Sequence, residues 1–325
     1  MSRSTVLGLD ATSYQRHALH AESRAWVEKN CYVDVWLEVL HAAKLDPTAA
    51  LAFTVASDFD GDQWTFYKPP HVDLSVLYGV NVQELNVWKP ILEHALFHVG
   101  QGRLVFTEAD AFWLPDTAGT DYRTQHTKST IVIESIDAEA KKLGYFHNAG
   151  YFQLEGEDFV KTFRLDAAPD PTFMPLFAEL VKMDRAVRLP DPELAALSQG
   201  QLKAWLKRRP ATNPIRRFGQ HFAQELEHIR SRGINFYHAF AFATTRQCGS
   251  GYELSAAYLR WLEERAPKGY EAAARSFDEI SNGSKAMILK GARAANSKKP
   301  VDFQPAFEEM AQHWDTAMAT LDAIA

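Results

Sequence analysis

Cysteine is nearly absent from this sequence: 325 residues contain two, Cys31 and Cys248. Two cysteines cannot form a disulfide framework, which points to a reducing, cytoplasmic setting, and neither belongs to a CxxC pair, which argues against a cysteine-based zinc site. No stretch approaches the roughly 20 consecutive apolar residues that span a bilayer. The opening, MSRSTVLGLDATSYQRHALH, lacks the apolar core of a secretory signal. Positive charge is not in excess either. A net charge of -6 leaves no electrostatic footprint for nucleic acid or an anionic membrane. Repeats and low-complexity tracts are missing. With 46% hydrophobic and 23% charged residues, disorder is excluded and the chain can bury one large core or two modest ones.

What is present divides into two textures. Residues 1–165 mix strands, turns and a few helices, whereas 166–325 read as helical almost throughout, so the expected class is α+β followed by an all-α half. LAFTVASDFDGDQWTFYKPP alternates around an Asp-Gly turn. GRLVFTEADAFWLPDT reads as a strand running into a Pro-Asp turn, and STIVIESIDAEAKKLGYFHNAGYFQL as strand, turn, strand. WKPILEHALFHVGQ carries Leu92, Leu96 and Val99 at helical spacing. After the proline-rich joint LDAAPDPTFMP, six helical segments are expected. They start with PTFMPLFAELVKMDRAV and end with DFQPAFEEMAQHWDTAMATLDAIA, and Asn213-Pro214 and Asp302 are the clearest start signals.

The candidate chemistry begins at NCYVDVWLEVLHA, where Asn30 can cap a helix whose first residue is Cys31. The positive end of a helix dipole favours thiolate over thiol. A cysteine nucleophile also needs a base and a group that orients the base. His126 precedes a strand rich in β-branched residues, and the next strand ends in GYFHNAGY, which offers His147 and Asn148. A competing reading exists for each residue. Free cysteine is among the most buried residue types. A histidine beside a strand is often only structural, and HNAGY also fits a plain β-turn.

The order Cys at a helix start, His at a strand start and a polar residue on the next strand resembles papain-like cysteine enzymes. NCYVDVW, ADAFWLPDTAGTDYRTQHTKSTIVIESID and FHNAGYFQLEGEDF are similar to the N-terminal domain of the butirosin-biosynthesis acyltransferase family and to peptidase domains that process bacteriocin leaders. The whole chain resembles the bacterial domain-of-unknown-function family 1839, whose members are associated with carrier proteins and amino acid:carrier-protein ligases. The resemblance implies a papain-like first half with Cys31 as nucleophile and His126 as base. His147 then stands opposite the peptidases' Asp, and Asn148, one residue on, suits a papain-type Asn. The peptidases' oxyanion Gln has no counterpart just ahead of Cys31. Asn30 and Gln15 remain as side-chain candidates beside the Cys31 backbone N–H. The implied activity is acyl or aminoacyl transfer from the phosphopantetheine arm of a carrier protein, through a cysteine thioester, to an amine or thiol. A cysteine peptidase or amidase and a non-catalytic carrier-binding scaffold are the rivals.

Other motifs carry weaker signals. DFDGDQW reads as a turn that could bring Asp60, Asp62 or Gln63 to a substrate, but it lacks the pattern of a calcium loop. His94 and His98 stand i, i+4 without the intervening Glu of a zinc protease, so no metal is expected. Arg208, Arg209, Arg216 and Arg217 form a basic cluster, read either as a solvated face or as a dock for an acidic carrier protein. Cys248 is expected to be structural.

Overall fold

The computed structural model describes residues 4–168, 170, 172–297 and 301–324. The chain forms two compact units that share the sequence discontinuously. The first comprises Met1–Ala21, Cys31–Pro47 and His71–Arg188, and the second comprises Glu22–Asn30, Thr48–Pro70 and Leu189–Ala325. The α+β expectation holds. The boundary expected at residue 165 does not mark the edge of the first unit, because a strand of its sheet lies beyond that point.

The first unit is built on a seven-stranded antiparallel sheet. Its strands are β1 (Ser4–Thr5), β2 (Asn81–Glu84), β3 (Arg103–Asp110), β4 (Lys128–Asp137), β5 (Lys142–His147), β6 (Gly150–Glu155) and β7 (Ala178–Lys182). The order is β2-β7-β3-β4-β5-β6, with β1 added to β4. Helix α1 (Cys31–Ala42) packs on β4, β5 and β6. There Trp36, fully buried, stacks on Phe106 of β3 at 4.7 Å. Helix α2 (His71–Tyr78) precedes β2. Helices α3 (Ile91–Val99) and α4 (Glu157–Thr162) join a separate core with Val105, Ile131, Ile133 and Tyr145. Side chains alternate along a strand, so Phe106, Val132 and Phe146 face α1 while Ile131 and Tyr145 face α3 and α4.

Two expectations fail here for a common reason. PTFMPLFAELVKMDRAV was read as a helix, but its described part contains β7, which pairs with β2 and β3. A strand inserted between two others buries consecutive residues, here Ala178 through Val181, and a short run of that kind cannot be distinguished from a buried helix by periodicity. Pro171 lies outside the described residues. The alternating reading of LAFTVASDFDGDQWTFY also fails at its start: residues Pro47–Ala56 form a buried 3₁₀ run. Across the Asp-Gly turn a single bridge forms, from Phe59 to Trp64.

The second unit is helical: α5 (Asp191–Leu206), α6 (Pro214–Arg232), α7 (Ile234–Ala241), a π-helical turn at Phe242–Arg246, α8 (Gln247–Arg265), α9 (Glu271–Ala295) and α10 (Gln304–Ile324). Five of the six expected helical segments are therefore found. Asn213 caps α6 as expected, accepting from the amides of Ile215 at 3.0 Å and Arg216 at 3.1 Å with Pro214 in the first turn. Asp302 accepts from the Gln304 amide at 2.9 Å. Among the described residues, no helix is long and apolar enough to cross a membrane.

A bulge in β4 at Glu134 ties the amino terminus to the sheet. The Glu134 side chain is fully buried. Its Oε1 accepts from Thr5 Oγ1 at 2.6 Å and from the amides of Val6, Leu7 and Gly8, and its Oε2 accepts from the Tyr151 hydroxyl at 2.6 Å. Beside it, Gly144 has no room for a side chain, since a Cβ there would lie 2.1 Å from the Tyr151 oxygen. Glu134→Ala is expected to cost about 2 kcal/mol, because the buried Tyr151 hydroxyl and several part-buried donors lose their acceptor at once, and to strip hydrogen-exchange protection from the amides of residues 6–8. Glu134→Gln, which keeps one carbonyl acceptor, should cost about half as much. Retained protection in Glu134→Ala would show that the carboxylate is not the anchor.

Candidate functional site

Cys31 is the first residue of α1 and is partly exposed. Its Sγ lies 3.7 Å from Thr130 Oγ1 on β4. Thr130 pairs with Glu108 of β3, and one pleat repeat further along, Lys128 pairs with Asp110. All four therefore share the sheet face on which α1 lies. Lys128 Nζ donates to Glu108 Oε1 at 2.7 Å. Asp110 is the last residue of β3. Its Oδ1 caps the following 3₁₀ turn through the Phe112 amide, and its Oδ2 lies 2.6 Å from His126 Nδ1. The His126 ring stacks on Phe112 at 4.4 Å and its side chain is 70% exposed. A carboxylate on Nδ1 fixes the tautomer and leaves Nε2 to exchange protons.

The acid behind His126 is thus Asp110, which precedes the histidine in sequence. Neither His147 nor Asn148 fills that place. His147 pairs in register with Ile131, on the face away from α1, so strand alternation removes it from the Cys31 side. It is 1% exposed, with Nε2 at 2.6 Å from Ser129 Oγ and Nδ1 at 2.6 Å from Asp116 Oδ2. The other Asp116 oxygen accepts from the Tyr145 hydroxyl. This buried chain clamps the segment between β3 and β4 to the sheet. Asn148 and Ala149 are the two-residue connection from β5 to β6, and Asn148 adopts a φ of +43°, a conformation that asparagine tolerates better than most residues. Cys31 and Asp110, the partner of His126, share a face, and the thiol makes no hydrogen bond to the imidazole among the described residues. Thr130 and the Lys128–Asp110 pair are one register step apart, about 7 Å, and the thiol's partner is the Thr130 hydroxyl.

The oxyanion candidates separate as well. The Gln15 carbonyl accepts from His41 Nε2 at 3.1 Å, at the far end of α1. Ten residues of helix, about 15 Å, lie between His41 and Cys31, so Gln15 belongs to the wrong end. Asn30 is counted with the second unit, where its Nδ2 donates to the Tyr67 carbonyl at 3.1 Å. The α1 backbone amides remain as donors.

The expected substrate and docking residues lie in the second unit. Asp60, Asp62 and Gln63 form an exposed turn closed by the Asp60 amide on the Gln63 carbonyl, with Gly61 at a φ of +97°. The basic cluster is largely neutralised. Arg209 makes a bidentate pair with Asp322. Arg216 pairs with Glu308 and Asp315. Arg217 meets Asp58 and the Phe59 carbonyl. Arg208 lies over the Trp205 ring. Three of the four arginines therefore make ion pairs within the helical unit.

Sequence reasoning missed Asp110, Thr130, Glu108 and Lys128. They become a group only once β3 and β4 pair in register. It also missed a second polar cluster at the start of α1. There the Tyr32 hydroxyl donates to Glu179 Oε2 at 2.6 Å and lies 3.0 Å from His71 Nε2. Burial and the Glu179 charge push the Tyr32 phenol well above its ordinary range. Further along α1, Asp34 and Glu38 hold the buried His20. Burial alone would raise the Glu38 carboxyl, but the His20 hydrogen bond and charge outweigh it and lower it.

The two thiols differ in setting. Cys248 is buried against Ser284, and burial pushes its thiol up to about 12. It should remain unlabelled by iodoacetamide in the native protein through pH 10, while Cys31 is alkylated. Because the folded state resists the Cys248 thiolate, stability from this group is complete below about pH 9 and is lost as pH rises toward 12. Mass mapping of alkylated peptides against pH checks this, and equal labelling of both sites at pH 8 would contradict it.

No curated protein matches the chain. Residues 15–183 match the DUF1839 N-terminal domain and residues 191–323 match the DUF1839 C-terminal domain, so the chain belongs to the DUF1839 family.

Proposed function

We propose that the protein is a cysteine-dependent acyl or aminoacyl transferase whose first unit is a papain-like catalytic domain. The observation that carries this reading is the placement of a partly exposed thiol at the start of α1 on the sheet face that bears Asp110, the aspartate holding an exposed histidine. Cys31 Sγ attacks the carbonyl of a carrier-protein thioester. Its proton passes through His126 to the departing phosphopantetheine sulfur, leaving an acyl group on Cys31 and a free carrier thiol. An acceptor amine or thiol then attacks this new thioester, and His126 carries the acceptor's proton back to Sγ. Exchange of one thioester for another is nearly neutral in energy, so the site has to position and activate rather than drive the reaction. The amides of the first turn of α1 face the oxyanion.

One observation favours a second reading, a non-catalytic scaffold for carrier proteins: the thiol rests against Thr130 rather than an imidazole. Incubation with acyl- and aminoacyl-loaded carrier proteins, followed by intact mass measurement, separates the two. The transferase should gain the acyl mass on Cys31 and lose this gain in Cys31→Ser. Asp110→Asn should slow turnover about 100-fold, the usual scale for a misoriented base. Carrier binding without an adduct identifies the scaffold. Cleavage of peptide or amide substrates without any need for a carrier identifies a peptidase or amidase.

A further inference from the structure

On the α3 and α4 side of the first unit lies a groove of about 440 Å³, within the usual range for small-molecule sites. It runs from the start of α3 past the end of α4 to the segment that leads into β7. Its apolar walls are Trp88, Ile91, Phe163, Phe173 and Leu176. Trp88 is 79% exposed and Phe173 43% exposed, a large aromatic surface to leave in water.

Two cations sit among these rings. Lys89 Nζ stands 5.2 Å from the Trp88 ring centre, and the Arg164 guanidinium lies 4.0 Å over Phe173. Arg164 stands two residues past α4, with its amide on the Lys161 carbonyl and the next amide on the Val160 carbonyl. Its φ is +55°, a conformation in which glycine is normally preferred. An arginine kept there offers a charged side chain at a position where the backbone gains nothing from it. The hydroxyl of Thr162, which lines the same groove, is buried and has no hydrogen-bond partner among the described residues. The one acidic lining residue, Asp170, spends an oxygen on the Thr172 amide and hydroxyl. Two positive charges against one negative give the groove a local sign opposite to the net -6 of the whole chain.

We infer that this groove binds a small amphipathic carboxylate, with its apolar tail or ring against Trp88, Phe163 and Phe173 and its head group at Arg164 and Lys89. The site is separate from Cys31 and does not depend on the transferase reading. Octanoate is the probe, with octylamine and octanol as cationic and neutral controls, followed by calorimetry and saturation-transfer NMR on the full chain. Octanoate should bind saturably and at least tenfold tighter than octylamine. Arg164→Gly suits the local backbone, so the fold is retained. It should weaken octanoate about tenfold, the scale of one charge-assisted hydrogen bond, and change octanol less than twofold. Trp88→Ala should weaken octanoate and octanol alike, and Cys31→Ser should alter neither. Absence of saturable octanoate binding, equal affinity for octylamine, or an unchanged affinity in Arg164→Gly would each overturn the assignment.

Discussion

Everything in the first unit follows from the two-faced geometry of β4. One face carries Thr130 toward Cys31, and the other carries Ser129 toward His147, although the two residues are neighbours in the chain. A shift of one residue in the register between β3 and β4 would exchange these roles. The β3–β4 ladder runs unbroken from Val105–Ile133 to Asp110–Lys128, and the stacking of Trp36 on Phe106 fixes which face receives α1. The irregularity in β4 is placed further along, at Glu134, where it seats a carboxylate for the amino terminus without disturbing the end that bears the site.

Histidines held by carboxylates recur through this unit: His20 with Asp34 and Glu38, His71 with Glu179, His126 with Asp110, and His147 with Asp116. Pairing alone therefore does not mark a catalytic histidine here. Exposure separates them. His20 and His147 are sealed in the interior and hold segments together, whereas His126 presents most of its ring to solvent and His71 does so in part. The buried clusters act as fasteners, and the accessible pair is the one open to solvent.

Local signals in the sequence were read correctly where they were strong. Asn213-Pro214 announced α6, the helical half followed its apolar spacing, and Cys31 was placed at a helix start. Long-range pairing was not legible. Asp110 lies 16 residues before His126, and only the β3–β4 ladder joins them. The same limit turned β7 into an expected helix, since burial on both sides erased the alternation that marks a strand. His147 and Asn148 were both offered for their position at a strand end, but a strand has two faces and the sequence does not say which of them meets α1. The arginine cluster was visible as charge, but its acidic partners Asp58, Glu308, Asp315 and Asp322 come from distant segments.

The interleaving of the two units bears on how the chain is made. It passes from one unit to the other at 21/22, 30/31, 47/48, 70/71 and 188/189. Segments 22–30 and 48–70 leave the ribosome early, yet the helices with which they pack are not synthesised until after residue 188. Leu51, Phe53, Val55, Phe59 and Trp64, all buried in the finished protein, must therefore wait in an unfinished nascent chain. The first unit cannot be excised at residue 188 without leaving that apolar stretch uncovered. Recombination at the apparent linker would leave the first unit with all its segments and separate the helical unit from 22–30 and 48–70, which belong to its own core.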